Sequence, residues 1–209
     1  GDEGGYAPDL SSNEEALSVI VKSIETAGYI PGKNIFIALD IAASSFYNAE
    51  TDTYNIDNTN KTREELLNYY IDLLQKYPII SIEDPFDEDD YLGFKMITDS
   101  LGKKISIVGD DLFVTNKNLL KKGIEDGLCN AILIKPNQVG SFYETLETIV
   151  LAKQNKYTCI MSHRSGETTD TFISDLAVAL NIPFMKSGST SRGERLSKYN
   201  RLLEIEEEL

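Results

Sequence analysis

The chain has 209 residues, 41% of them hydrophobic, and a formal net charge of −14 from 20 Lys and Arg against 34 Asp and Glu. This length is sufficient for a domain with a sizeable core. The acidic balance argues against a surface for nucleic acids or anionic membranes and favours cation binding. No apolar run is long enough to span a membrane, and no signal peptide opens the chain.

The first residues and the two cysteines bear on where the sequence starts and on the redox compartment of the protein. Gly1 to Gly5 form a glycine-rich stretch with no initiator Met, so we expect the sequence to start within a longer protein. Cys129 and Cys159 lie far apart in apolar runs. This placement predicts buried thiols in a reducing compartment rather than a disulfide framework.

Helical and strand patterns alternate from residue 12 onward. Ser12 with Glu15 and Thr62 with Glu65 predict capped helix starts, and a polar loop with a short hairpin covers residues 42–60. Further helices are predicted near 88–101, 116–125, after Ser141, over a segment that includes 172–180, and over 192–208. The last of these has Leu196, Tyr199, Leu203 and Ile205 as its predicted inner positions. Apolar runs that predict buried strands cover residues 35–39, 79–82, 105–108, 131–134, 157–161 and 182–185.

This alternation predicts an α/β fold with a parallel sheet and crossover helices. Two architectures fit, an open doubly wound sheet and a (β/α)8-type barrel. With six strands a barrel is incomplete in this chain. No linker or second-domain boundary is evident, so we expect residues 1–209 to belong to a single catalytic barrel domain.

The strand ends favour the barrel. The six strand-terminal residues are Asp40, Glu83, Asp110, Lys135, His163 and Lys186. Only 26% of the residues are charged, so an ionisable residue at every strand end points to function. In a parallel barrel these ends meet at one face, where active sites lie, whereas an open sheet would spread them along a line.

Three consecutive strands end in carboxylates, Asp40, Glu83 and Asp110. Hard oxygen ligands of this kind suit Mg2+, which prefers a few carboxylates plus water and substrate oxygens. The chain has one His and no Cys at a strand end, which argues against zinc. The alternative is that these acids form salt bridges with the strand-end lysines.

The next strands provide cations. Lys135 follows a continuous apolar run, where desolvation can convert a lysine into a base, although a lysine can also extend to solvent from such a position. Arg164 and Ser165 suit a phosphate. Residues 165–168 are predicted to open a helix, whose N-terminus would favour an anion. We expect His163 to face a ligand, and the alternative is that this histidine has a structural role.

These groups together suggest proton removal α to a carboxylate. Metal ions and Lys186 would stabilise the enolate that forms. A β-hydroxyl on the substrate could then be expelled by an acid opposite the base. Glu3 is the candidate acid, because its glycine-rich loop allows close approach. The alternative for this loop is a plain flexible turn.

At this point seven short motifs are identifiable in order. They are GDEGG at Gly1, ALD at Ala38, SIEDP at Ser81, GDDL at Gly109, LIKPNQ at Leu133, SHRSGET at Ser162 and KSG at Lys186, followed by a match over 192–209. With these motifs the chain resembles the enolase family over essentially its whole length, and residues 28–40 resemble bacterial members. The resemblance implies an enolase-type TIM-like barrel lacking its first strands and the N-terminal domain.

The resemblance also implies roles for single residues. Glu3 would be the general acid and Lys135 the general base, while Asp40, Glu83 and Asp110 would hold the first of two Mg2+ ions. His163, Arg164, Ser165 and Lys186, together with Lys135, would contact the substrate. The implied reaction is the reversible dehydration of 2-phosphoglycerate to phosphoenolpyruvate in glycolysis, which makes the enzyme a phosphopyruvate hydratase, a carbon–oxygen lyase.

Partners and location follow only from the resemblance. Family members form dimers or octamers and are cytoplasmic, and some reach the cell surface or are secreted without a signal peptide. Plasminogen and the bacterial degradosome are family partners, which keeps a binding or scaffold role as a rival. Enzymatic rivals are a racemase or cycloisomerase of the same superfamily and a Schiff-base aldolase. We expect this segment by itself to be inactive or nearly so.

Overall fold

The computed structural model describes residues 1–209 and divides them into two compact units. The carboxylate unit comprises Asp9–Leu112 and Gly123–Asn130 and contains the three predicted metal ligands. The lysine unit comprises Gly1–Pro8, Phe113–Lys122 and Ala131–Leu209 and contains Lys135 and Lys186. Helix α4, numbered in chain order with the elements below, covers Lys117–Asp126 and has residues in both.

The carboxylate unit combines a parallel sheet with a small antiparallel one. Its helices are α1 Asn13–Thr26, a 3₁₀ helix Ala43–Phe46, α2 Arg63–Lys76 and α3 Tyr91–Leu101. Its strands are β1 Ile37–Asp40, β2 Tyr47–Asn48, β3 Thr53–Ile56, β4 Thr59–Lys61, β5 Ile79–Glu83 and β6 Ser106–Gly109. Strand β5 pairs in parallel with β1 and β6, and β3 pairs antiparallel with β2 and β4.

An aromatic cluster forms part of this unit's core. Its four rings have no solvent exposure and belong to Tyr54, Tyr70, Phe86 and Phe94. The ring centroid of Phe86 lies 5.6 Å from that of Tyr54, 6.1 Å from that of Tyr70 and 6.4 Å from that of Phe94. The Tyr70 hydroxyl donates to the Pro85 carbonyl at 2.8 Å. The cluster therefore fixes the segment that directly follows the end of β5.

The lysine unit has three parallel strands in the order β7, β8, β9, with helices packed on them. Its elements are β7 Ala131–Ile134, α5 Pro136–Val139, α6 Phe142–Gln154, β8 Thr158–Ser162, α7 Phe172–Ala179, β9 Phe184–Lys186 and α8 Gly193–Glu208. Helix α6 packs on β7 and β8, and α7 packs on β8, β9 and α8. All four residues of β7 are fully buried, as its apolar run predicts.

The predicted α/β class is confirmed, because helices join parallel strands in both units. The predicted apolar inner positions of α8 are partly wrong. Ile205 is buried, but Leu203 is 60% exposed, and the most buried side chains of the helix are Arg195 and Lys198. Polar acceptors explain the difference. Lys198 Nζ donates to the Glu194 carbonyl at 2.8 Å and to the Thr168 carbonyl, and the acceptors of Arg195 are described below.

The prediction that both cysteines are buried free thiols is confirmed. Cys129 and Cys159 are both buried and free. Burial raises the pKa of the Cys159 thiol to about 11 and that of the Cys129 thiol well above its ordinary value. None of the helices combines the length and the apolar character needed to cross a lipid bilayer.

Candidate functional site

Three carboxylates end the parallel strands of the carboxylate unit. Asp40 closes β1 and is the register partner of Glu83, which closes β5. Glu83 is in turn the partner of Val108 on β6, and Asp110 follows Val108 by two residues. Glu83 and Asp110 are 6% and 7% exposed. Parallel register therefore places the three predicted ligands at the carboxyl edge of one sheet.

The loop that carries Asp110 is held by Asp84, a residue that the sequence analysis did not single out. The Asp84 carboxylate accepts the backbone N–H of Asp110 and that of Asp111, each at 2.9 Å. Asp84 is 5% exposed and has a φ of +42°, a conformation that side chains rarely adopt. Burial raises its pKa to about 7, and the two N–H donors oppose that rise.

The donor set of this edge fits a hard divalent cation. One carboxylate oxygen from each of Asp84, Asp110 and Asp111 lies within 4.8 Å of the others. Both Asp84 oxygens already accept hydrogen bonds, so this residue suits orienting the loop better than binding an ion. The remaining donors are carboxylate oxygens with no His or Cys among them, which suits Mg2+.

Lys135 directly follows β7 and is partly buried. Its backbone N–H donates to Thr115 Oγ1 at 2.9 Å, and Thr115 Oγ1 lies 3.0 Å from Gln138 Oε1, to which it donates. Thr115 is fully buried with a φ of +57°, and its carbonyl accepts from the Thr148 hydroxyl at 2.9 Å. These contacts fix the backbone from which the lysine side chain projects.

His163 and Glu3 form a pair within the lysine unit. His163 Nε2 lies 3.3 Å from Glu3 Oε2, and His163 is 3% exposed. The backbone N–H of His163 donates to the backbone carbonyl of Lys186 at 3.0 Å, and this bond joins the ends of β8 and β9. Burial lowers the pKa of His163, Arg195 and Lys186 lower it further, and Glu3 and Glu167 raise it.

The glycine-rich loop that carries Glu3 is anchored and is not a plain turn. Ser191 Oγ donates to the Gly4 carbonyl and Arg192 Nη1 donates to the Asp2 carbonyl, both at 2.7 Å. The Glu3 carbonyl accepts the Ser189 N–H at 3.0 Å. Gly188 has a φ of +67°, and a Cβ there would lie 2.8 Å from the Glu3 carbonyl oxygen. Glycine at 188 therefore permits this close approach.

The segment after His163 corrects one prediction. Residues 165–168 do not open a helix, because α7 begins at Phe172. Glu167 instead folds back, and its carboxylate accepts the backbone N–H of Arg164 at 3.3 Å and of Thr168 at 2.8 Å. A helix N-terminus therefore contributes nothing to anion binding at Ser165, and the Arg164 guanidinium lies 3.0 Å from Asn137 Oδ1, to which it donates.

Comparisons with known proteins identify the family to which the chain is similar. The family model described as "Enolase, C-terminal TIM barrel domain" matches residues 1–209. A curated enolase of Sulfurimonas denitrificans is 56% identical and one of Wolinella succinogenes is 55% identical, each over 211 aligned residues and 100% of this chain. The chain covers 50% of each of these relatives, so it spans about half their length.

Proposed function

This chain belongs to the enolase family, and we propose that it supplies the catalytic residues of a Mg2+-dependent phosphopyruvate hydratase. The proposed reaction is the reversible dehydration of 2-phosphoglycerate to phosphoenolpyruvate. The observation that carries the proposal is the register of the carboxylate unit, which aligns Asp40 with Glu83 and puts Asp110 next to them. Without a bound cation, the three carboxylates at these adjacent strand ends would repel one another.

Asp40, Glu83 and Asp110 would hold the first Mg2+, with a second ion in the complete site. The bound metal supplies Lewis-acid stabilisation of the negative charge that develops on the substrate carboxylate. Asp84 serves this set indirectly, because its two hydrogen bonds hold the backbone of Asp110 and Asp111.

Two residues carry out the proposed proton transfers. The Lys135 amine takes the proton from the carbon next to the carboxylate, and the electrons of that C–H bond form the new double bond. The β-hydroxyl leaves with a proton from Glu3, as water. Lys135 has a fixed backbone and Glu3 an anchored loop, so each can keep a productive position.

The remaining predicted residues would bind the substrate. Arg164 and Ser165 face the phosphate, His163 contacts the substrate beside Glu3, and Lys186 neutralises charge on the carboxylate side. By family membership we also propose a cytoplasmic homo-oligomer, a dimer or octamer, with surface exposure and plasminogen or degradosome binding as further family traits.

The test is a dehydration assay on a fusion in which this chain replaces the matching half of the Sulfurimonas denitrificans relative. We expect phosphoenolpyruvate formation that requires Mg2+ and is lost in Asp110→Asn. Asp126→Asn, an exposed acid at the end of α4, serves as the matched control and should leave activity unchanged. A folded fusion that binds Mg2+ but forms no product would contradict the proposal.

A further inference from the structure

Arg195 is the largest of the fully buried side chains, at 1% exposure. It lies on α8, at a buried position where an apolar side chain would carry no penalty for desolvating a charge. A buried charge is strongly destabilising unless it is paired and hydrogen-bonded. Glu194 provides the opposite charge, with its Oε1 3.6 Å from Arg195 Nε. The guanidinium must therefore have a specific set of acceptors.

Those acceptors belong to the predicted substrate loop. Arg195 Nη1 donates to the Arg164 carbonyl at 2.7 Å, and Nη2 donates to the Ser165 carbonyl at 2.6 Å. Nη1 also lies 2.5 Å from His163 Nδ1. One side chain thus contacts three consecutive residues of the loop, 163–165.

The contact with His163 dictates a tautomer. Arginine carries only donors and stays protonated, so His163 Nδ1 has to be the acceptor. The single proton of the neutral imidazole must then be on Nε2. That nitrogen faces Glu3 Oε2 at 3.3 Å, and it is able to donate to the carboxylate.

We propose that Arg195 is a positioning residue: it holds His163 as the neutral Nε2–H tautomer directed at Glu3 and fixes the backbone of Arg164 and Ser165. The mechanistic meaning of this arrangement rests on the proposed function, because Glu3 is the proposed acid there. The arrangement itself depends only on contacts within the lysine unit. A neutral His163 donates to Glu3 without adding a second positive charge beside Arg195.

Nuclear magnetic resonance of the imidazole nitrogens tests this proposal without substrate or metal. His163 is the only histidine of the chain, so its two ¹⁵N signals need no assignment by mutation. In the wild-type chain at neutral pH we expect a protonated Nε2 and an unprotonated Nδ1. A wild-type spectrum with the proton on Nδ1 would overturn the proposal, whatever any variant does.

Arg195→Gln is the informative variant. A glutamine amide contains both a donor and an acceptor, so it no longer imposes a tautomer, and it removes a nearby positive charge. We expect a measurable Nδ1–H fraction and an upward shift of the His163 titration midpoint. Arg201→Gln on the same helix removes an arginine that pairs with Asp175 at 2.7 Å, and it should leave both signals unchanged.

The outcomes separate the two proposals. A folded Arg195→Gln chain with the wild-type tautomer and midpoint would refute the positioning role. If Arg195→Gln does not fold, the wild-type spectrum decides. A wild-type Nε2–H signature combined with an inactive fusion in the dehydration assay would refute the proposed function and leave the positioning of His163 intact.

Discussion

At the scale of single residues, Asp84 determines where Asp110 lies. The carboxylate accepts two backbone N–H groups from a loop 26 residues further along the chain. In Asp84→Asn one acceptor oxygen becomes an NH2 donor that faces an N–H group. That N–H group loses its acceptor, so we expect the free energy of unfolding to fall by about 1–3 kcal/mol, the range for a buried group left unsatisfied, and Mn2+ to bind more weakly.

Urea unfolding and Mn2+ titration by electron paramagnetic resonance measure both effects. Asp99→Asn is the matched control, because it removes a surface ion pair with Lys95 in which the Asp99 side chain is 62% exposed. An exposed pair contributes about 0–1 kcal/mol. Equal losses in the two variants would show that Asp84 has no special part in holding the loop.

The sequence identifies residues at strand ends more readily than the residues that orient them. Asp40 and Glu83 end their strands and Lys135 follows its own, because a buried apolar run marks a strand wherever it occurs. Asp84, Thr115 and Arg195 act through partners 18 to 32 residues away. Nothing local in the sequence encodes such contacts. Arg195 was not predicted, and a charged residue at a buried position of α8 is the one signal that could have identified it.

At the scale of elements, helix starts were predicted well where a capping box was present. Helix α2 follows Thr62, whose Oγ1 accepts the Glu65 N–H at 3.3 Å while Glu65 Oε2 accepts the Thr62 N–H at 2.8 Å. In α1 only half of the box forms. Ser12 caps the Glu15 N–H, but the Glu15 carboxylate binds the Ser11 N–H and hydroxyl instead.

The complete capping box of α2 supports a prediction. Thr62→Ala removes the acceptor for an N–H that has no helical partner, and we expect a loss of about 1 kcal/mol in the free energy of unfolding. Thr62→Ser keeps the hydroxyl and should lose a small fraction of that. Urea unfolding monitored by circular dichroism measures both variants. A serine variant as unstable as the alanine variant would contradict the role of the cap.

Other element boundaries depended on contacts that the sequence pattern does not show. Helix α3 begins at Tyr91 rather than near residue 88, because the Asp90 carboxylate caps it by accepting the Gly93 N–H at 2.9 Å. Asp90 also accepts from Tyr54 and Arg63, both at 2.7 Å. Its role as a cap is thus set by tertiary partners from β3 and α2, which a reading along the chain cannot anticipate.

At the scale of the whole molecule, the alternation of strands and helices was sufficient to predict the α/β class. The division into a carboxylate unit and a lysine unit was not predicted. The three proposed metal ligands belong to the carboxylate unit, and the proposed base, acid and substrate-binding residues belong to the lysine unit. Whether residues 1–209 act as one catalytic domain remains a prediction.

In the proposed reaction Lys135 removes the proton α to the substrate carboxylate. Exchange of that hydrogen of 2-phosphoglycerate with deuterated solvent, measured on the fusion protein with Lys135→Ala, tests it most directly. Lys103→Ala, an exposed lysine, is the control and should exchange like the parent. We expect exchange to stop in Lys135→Ala while Mn2+ binding is retained, and continued exchange in that variant would show that another group is the base.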